Sequence, residues 1–193
     1  MAGLWRKNRS DRGFQAENDD LPNMSVPESF QTVAEIGVAI AAFSGLIVAL
    51  RKDSGSMTPV QKYRLQVLLL LAFGSMFLSL LPDLLLTYGI SVDVVWFSCS
   101  SALALFSMLF LVWWVSKSRQ FRLADPGIFN WYAFSRMLTG HILILLLQTT
   151  YLFSIVDLEG AAVVLTGLVW YLLHSVQQFT RMLFIRARSD LAT

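Results

Sequence analysis

The chain has 193 residues, of which 55% are hydrophobic and 15% charged, with 15 lysines and arginines against 13 aspartates and glutamates. That balance inverts the composition of a soluble globular domain, and a net charge of +2 gives no footing for nucleic acid or an acidic substrate. The length suits one domain, and the single cysteine, Cys99, has no partner for an intramolecular disulfide.

Residues 1–24 open with Arg6, Lys7, Arg9 and Arg12, which could pass for the basic start of a signal peptide. Glu17, Asp19 and Asp20 follow where an apolar stretch would be needed, so this segment is expected to be a polar, disordered arm. Residues 25–186 then read as a transmembrane domain and 187–193 as a short tail. A helix needs about 20 mostly apolar residues to cross a bilayer. Five stretches meet that length, over about 29–50, 65–90, 94–116, 137–156 and 160–180. In hydrocarbon the backbone must satisfy its own hydrogen bonds, so these are helices rather than strands. The predicted fold class is an all-α integral membrane bundle of five transmembrane helices.

Helix-start chemistry marks several boundaries. Ser25 with Glu28 has capping-box spacing around Pro27, and Thr58-Pro59 with Gln61 repeats it. Asp125-Pro126 can start the fourth helix, with Trp131 and Tyr132 at the interface, and Trp113 and Trp114 close the third span as part of an aromatic belt. The links near Gly89 and Gly160 are short enough to force antiparallel hairpins.

Charge asymmetry predicts the orientation. The first and third loops carry Arg51, Lys52, Lys62 and Arg64, then Lys117, Arg119, Arg122 and Arg136; the C-terminal segment carries Arg181, Arg186 and Arg188. The second and fourth loops hold only Asp93, Asp157 and Glu159. The positive-inside rule then puts the C-terminus in the cytoplasm and the N-terminus outside.

Ionisable groups inside spans are costly and are functional candidates by default. Glu35 in the first span and Asp83 in the second fall at similar depth near the outer side, so they could face each other and share a proton or a cation. Pro82 frees the carbonyl of Leu78 beside Asp83. His141 and His174 fall together in the inner half; Gln148 shares a helical face with the first, Gln178 and Arg181 with the second. Two histidines can pass protons or bind metal, but zinc normally takes three or four protein ligands and no third appears. Interhelical hydrogen bonding is the expected role of the pair. In the first span Gly37, Ala41 and Gly45 recur every four residues, the spacing that lets helix backbones approach. With Ala34, Ala42 and Ser44 around them, that helix is expected at the centre of the bundle.

No phosphate-binding glycine loop, HExxH, CxxC or GxSxG motif occurs, so no cofactor, metal or nucleotide is expected and the chain does not read as an enzyme. The run from Val33 to Gly45, VAEIGVAIAAFSG, followed by Arg51-Lys52, resembles the first helix of a group of small uncharacterised bacterial inner-membrane proteins. The resemblance implies a multi-pass protein of the bacterial cytoplasmic membrane and makes Glu35 part of the pattern; it implies no activity. The expected partners are the lipid bilayer and itself or another membrane protein, with no nucleic acid. The leading expectation is a bundle acting by association, as a homo-oligomer or accessory subunit. The alternative is a small ion channel or proton-linked transporter that uses the carboxylates and histidines.

Overall fold

The computed structural model describes residues 26–50, 57–124 and 131–189, with side chains for 28–49, 57–122 and 131–182. These residues form five helices and no strand: α1 (Val26–Leu50), α2 (Pro59–Thr87), α3 (Val92–Ala124), α4 (Trp131–Leu152) and α5 (Gly160–Ser189). The N-terminal arm, the Ser25 cap, the Asp125-Pro126 start and the last residues of the tail lie outside the described residues. Four helices, α1, α2, α3 and α5, contain segments long and apolar enough to cross a membrane. The fourth, α4, has the length but carries Arg136, His141 and Gln148, and is not among them.

Helix boundaries run past the apolar windows because a helix does not stop where hydrocarbon stops. At the start of α2 the Thr58 hydroxyl accepts from the Gln61 amide at 3.3 Å, and the Gln61 side chain accepts from the Thr58 amide at 3.2 Å. This reciprocal cap satisfies two donors that the first turn leaves free. It carries the helix start to Pro59, six residues before the apolar stretch. The α2–α3 link turns on Gly89, whose φ of +74° suits a residue without a Cβ. α2 continues through Pro82, whose ring is buried.

The packing order corrects one expectation. α5, not α1, is central: its backbone lies close to all four other helices, whereas among the described residues that of α1 lies close to α2 and α5 and reaches α3 through the Phe30–Trp96 ring contact. Only 22% of the apolar segment of α1 is buried, against 56% for α5. The small residues of α1 explain the difference. Positions four apart advance 400° around a helix of 3.6 residues per turn, so each step drifts about 40°. Gly37 therefore meets α2, where an added Cβ would lie 2.9 Å from the Ala72 carbonyl and 3.3 Å from the Met76 Cβ. Ala41 is half-buried, and Gly45 has turned into open space.

The core gathers Phe30, Val67, Leu71, Val95, Leu103, Phe110, Trp114, Val164, Leu168 and Tyr171, all buried. Trp114 is 4% exposed and stacks on Phe110 and Phe134, so it is a core residue rather than a belt residue. Trp131 and Tyr132 are 59% and 75% exposed, as an interfacial position requires. Hydroxyls within the apolar helices bond back to the carbonyl a turn earlier, as Ser75 does to Leu71 at 2.8 Å and Ser107 to Leu103 at 2.8 Å. Local bonding of this kind keeps a polar atom satisfied where water is absent.

Among the residues whose side chains are described, charge divides along the bundle axis. The lysines and arginines in this set, Lys62, Arg64, Lys117, Arg119, Arg122, Arg136 and Arg181, lie towards the end where α2 and α4 begin and α3 and α5 finish. The described carboxylates Glu28, Glu35, Asp83, Asp93, Asp157 and Glu159 lie towards the other.

Close packing gives a direct contrast between two glycines. A Cβ on Gly140 would collide with the indole of Trp170, while one on Gly45 meets nothing within 4 Å. Gly140→Ala is expected to destabilise the bundle by about 1–3 kcal/mol through overpacking. Gly45→Ala should leave the fold within about 0.5 kcal/mol of the parent. Unfolding of the two variants in detergent checks both.

Candidate functional site: a buried histidine pair

Among the described residues, the histidines and the most deeply buried glutamine lie on α4 and α5. His141 and Gln148 are 0% exposed and His174 is 1% exposed. Their helices explain why they meet. α4 and α5 form a hairpin, so residues equidistant from the turn pair across it, and His141 Nε2 lies 2.7 Å from His174 Nδ1. On α5 the next turn brings Gln178 beneath His174, with the Gln178 amide nitrogen 2.9 Å from His174 Nε2.

This three-membered chain has a definite proton logic. A neutral imidazole carries one N–H and one bare nitrogen. With the Gln178 amide donating, His174 Nε2 is the acceptor and Nδ1 carries the proton. That Nδ1–H donates to His141 Nε2, which leaves the His141 proton on Nδ1. Turning the Gln178 amide around reverses every member of the chain. In both arrangements His141 Nδ1 is the terminal atom, and it is buried without a hydrogen-bond partner.

Aromatic rings enclose that terminal atom. The His141 ring centroid lies 5.0 Å from Phe110, 5.9 Å from Trp114, 6.0 Å from Trp170 and 5.6 Å from Tyr171. Phe110 and Trp114 also cover His174, both edge-on. The Tyr171 hydroxyl is hydrogen-bonded to Ser107 and not to either histidine. The chain therefore opens through Gln178 towards the cationic end and closes against aromatic carbon in the middle of the bundle.

Gln148 belongs to a second polar cluster rather than to this one. Its amide nitrogen donates to the Val163 carbonyl at 3.0 Å, and its carbonyl accepts from the Ser100 hydroxyl. Leu103 and Leu168, both 0% exposed, form the apolar layer at intermediate depth. Gly167 permits this approach: a Cβ there would lie 2.6 Å from Leu103 and 3.2 Å from the Gln148 amide.

The carboxylates are placed differently from the histidines. Glu35 is exposed on α1 and accepts from the Gln31 amide at 3.0 Å. Asp83 is half-buried on α2, and no hydrogen bond or ion pair joins the two among the described residues. The structure thus brings His141, His174 and Gln178 together and does not join Glu35 to Asp83. The partners of Gln148 and the aromatic enclosure were missed in the sequence. The signal was present in α3, where Ser100, Leu103, Ser107, Phe110, Trp114 and Ser118 repeat at intervals of three and four.

No known protein family matches the chain, and no curated protein or solved structure is significantly similar to it.

The pair should act as a clamp between α4 and α5. His141→Leu and His174→Leu each strand a buried partner, at a cost of about 1–3 kcal/mol. In a double-mutant cycle the two changes should couple by about 1 kcal/mol, within the range found between membrane helices. Additive losses would show that the bond does not contribute.

Proposed function

We propose that the protein is a non-enzymatic, multi-pass membrane protein that acts by association, as a homo-oligomer or as an accessory subunit of a membrane assembly. The observation that carries this reading is the outward face of α1. Gln31, Glu35, Ala39, Ala42, Leu46 and Ala49 share that face and are all exposed. Glu35 lies seven residues beyond Glu28, about 10 Å along the axis at 1.5 Å per residue. A carboxyl at that depth is costly to leave against lipid chains, by up to about 3 kcal/mol near a helix centre. Gln31 satisfies only part of its hydrogen-bonding capacity.

Three residues of the face are small. Ala39, Ala42 and Ala49 let another helix approach closely, so that backbone contact and a hydrogen bond to Glu35 come together. Within this reading the inward-facing Gly37 and Ala41 hold α1 to its own bundle, and the outward-facing residues hold it to a neighbour. The transporter alternative loses ground on the same observation, since Glu35 points away from Asp83's side of the bundle and the histidine chain ends against aromatic rings.

The proposed setting is a bacterial cytoplasmic membrane, with α4 as a fifth span, the cationic end in the cytoplasm and the N-terminus outside. Within the span the polar groups His141 and Gln148 are turned inward and bonded, which supports the insertion of α4 beside four more apolar helices.

Ala42→Leu is expected to shift the purified protein in mild detergent from an assembled to a monomeric species without lowering its own unfolding midpoint. Glu35→Gln, which can still donate and accept, should retain assembly, and Glu35→Leu should weaken it. A parent protein that is monomeric with nothing copurifying would remove the proposal. For the orientation, Asp157→Cys in a Cys99→Ala background should react with an impermeant maleimide on intact cells, and Lys117→Cys should not. The reverse pattern would invert the topology.

A further inference from the structure

Three arginines from three different helices converge at the cationic end of the bundle, below the histidine pair. Arg64 near the start of α2 and Arg181 near the end of α5 are half-buried, and Arg136 near the start of α4 is exposed. Arg64 and Arg136 each stand within electrostatic reach of Arg181. With the Gln177 amide oxygen turned towards them, it accepts from Arg181 at 3.2 Å and from Arg136 at 2.6 Å. One terminal nitrogen of Arg64 is buried and has no hydrogen-bond partner.

Like charges do not gather without cause, because each repels the others and loses hydration on burial. The usual remedy is a carboxylate, yet every described carboxylate lies towards the opposite end. Gln177 supplies a neutral oxygen, which orients two guanidiniums but removes no charge. Among the described residues the cluster therefore has surplus donors and surplus positive charge directed at one place. Guanidinium groups meet phosphate oxygens in planar, two-point contacts, and several guanidiniums around one tetrahedral anion satisfy both needs together.

We propose that Arg64, Arg136 and Arg181, positioned by Gln177, form a binding site for a phosphate group at the cationic end of the helix bundle. Arg64 and Arg181 form the half-buried floor, and exposed Arg136 forms the entrance. The phosphate can belong to an anionic lipid headgroup in the adjoining leaflet or to a soluble phosphate, and both present the same oxygens. The site is independent of the α1 face, so failure of either proposal leaves the other standing.

The test uses the full chain in an uncharged detergent, with two probes. Phosphatidic acid is titrated and bound lipid is counted by native mass spectrometry; inorganic phosphate is titrated and followed by thermal stability. Arg64→Gln, Arg136→Gln and Arg181→Gln are each expected to weaken binding of the effective probe about tenfold, the loss of one charge-assisted contact. Arg119→Gln, exposed at the same end but outside the cluster, should leave it unchanged. Arg181→Lys keeps the charge without the planar fork and should bind between parent and Arg181→Gln, which separates lost recognition from lost folding. Saturable lipid binding that inorganic phosphate does not displace assigns the site to a headgroup; binding of inorganic phosphate alone assigns it to a soluble ligand. No binding of either probe, or an equal loss with Arg119→Gln, would overturn the site.

Discussion

The bundle depends on one constraint: a polar group in hydrocarbon must find its partner in the protein, because no water is there to replace it. α4 shows the constraint at its most demanding. It is the helix whose sequence is least able to enter a membrane by apolarity alone, and it carries His141 and Gln148, both fully buried. Each is matched from a neighbour, His141 by His174 on α5 and Gln148 by Ser100 on α3 and the Val163 carbonyl on α5. Removing the neighbours would leave these groups without partners. The polar bonds therefore fix which helices lie beside α4 and in what register, a specificity that apolar packing against equally apolar lipid supplies poorly.

Close approach is the second requirement, and small residues meet it only where their direction is right. Gly140 and Gly167 lie at contacts that a methyl group would obstruct, one against Trp170 and one against Leu103. Both serve the α4–α5 seam: Gly140 immediately precedes His141, and Gly167 lies beneath Gln148. The polar contacts and the absent side chains are thus parts of one arrangement. Without the glycines the helices would stand too far apart for the short interhelical bonds, and without the bonds the close approach would bury unsatisfied groups.

Much of this was legible in the sequence. Length of apolar run gave five helices, and the Thr58–Gln61 pair gave the start of α2, because both signals are local. The histidine contact was also legible, since a tight hairpin fixes which residues share a depth. Direction around a helix axis was harder. The spacing of Gly37, Ala41 and Gly45 looked like one packing ridge, but a four-residue step drifts, and Gly45 ends in open space. Trp114 was read as interfacial from its place at the end of a span, yet adjacent residues differ by 100° and Trp114 turns inward where Trp113 is only partly covered. Position along an axis follows from counting; rotation about it follows from neighbours the sequence does not identify.

Glu35 and His141 show the same rule with opposite outcomes. Both are ionisable groups within apolar helices, and both would be costly against lipid. His141 lies on the inner side of α4, where one ring nitrogen bonds to His174 and the other is enclosed by aromatic rings. Glu35 lies on the outer side of α1, on the helix with the least burial, and reaches only Gln31 on its own helix. A carboxyl satisfied within the chain would need no further partner. One turned outward, on a face that also carries three alanines, has its remaining hydrogen bonds available to a helix laid against it. The least buried helix thus combines an outward carboxyl with exposed alanines, and that conjunction is what supports the proposed role of α1 as the surface through which this bundle meets another.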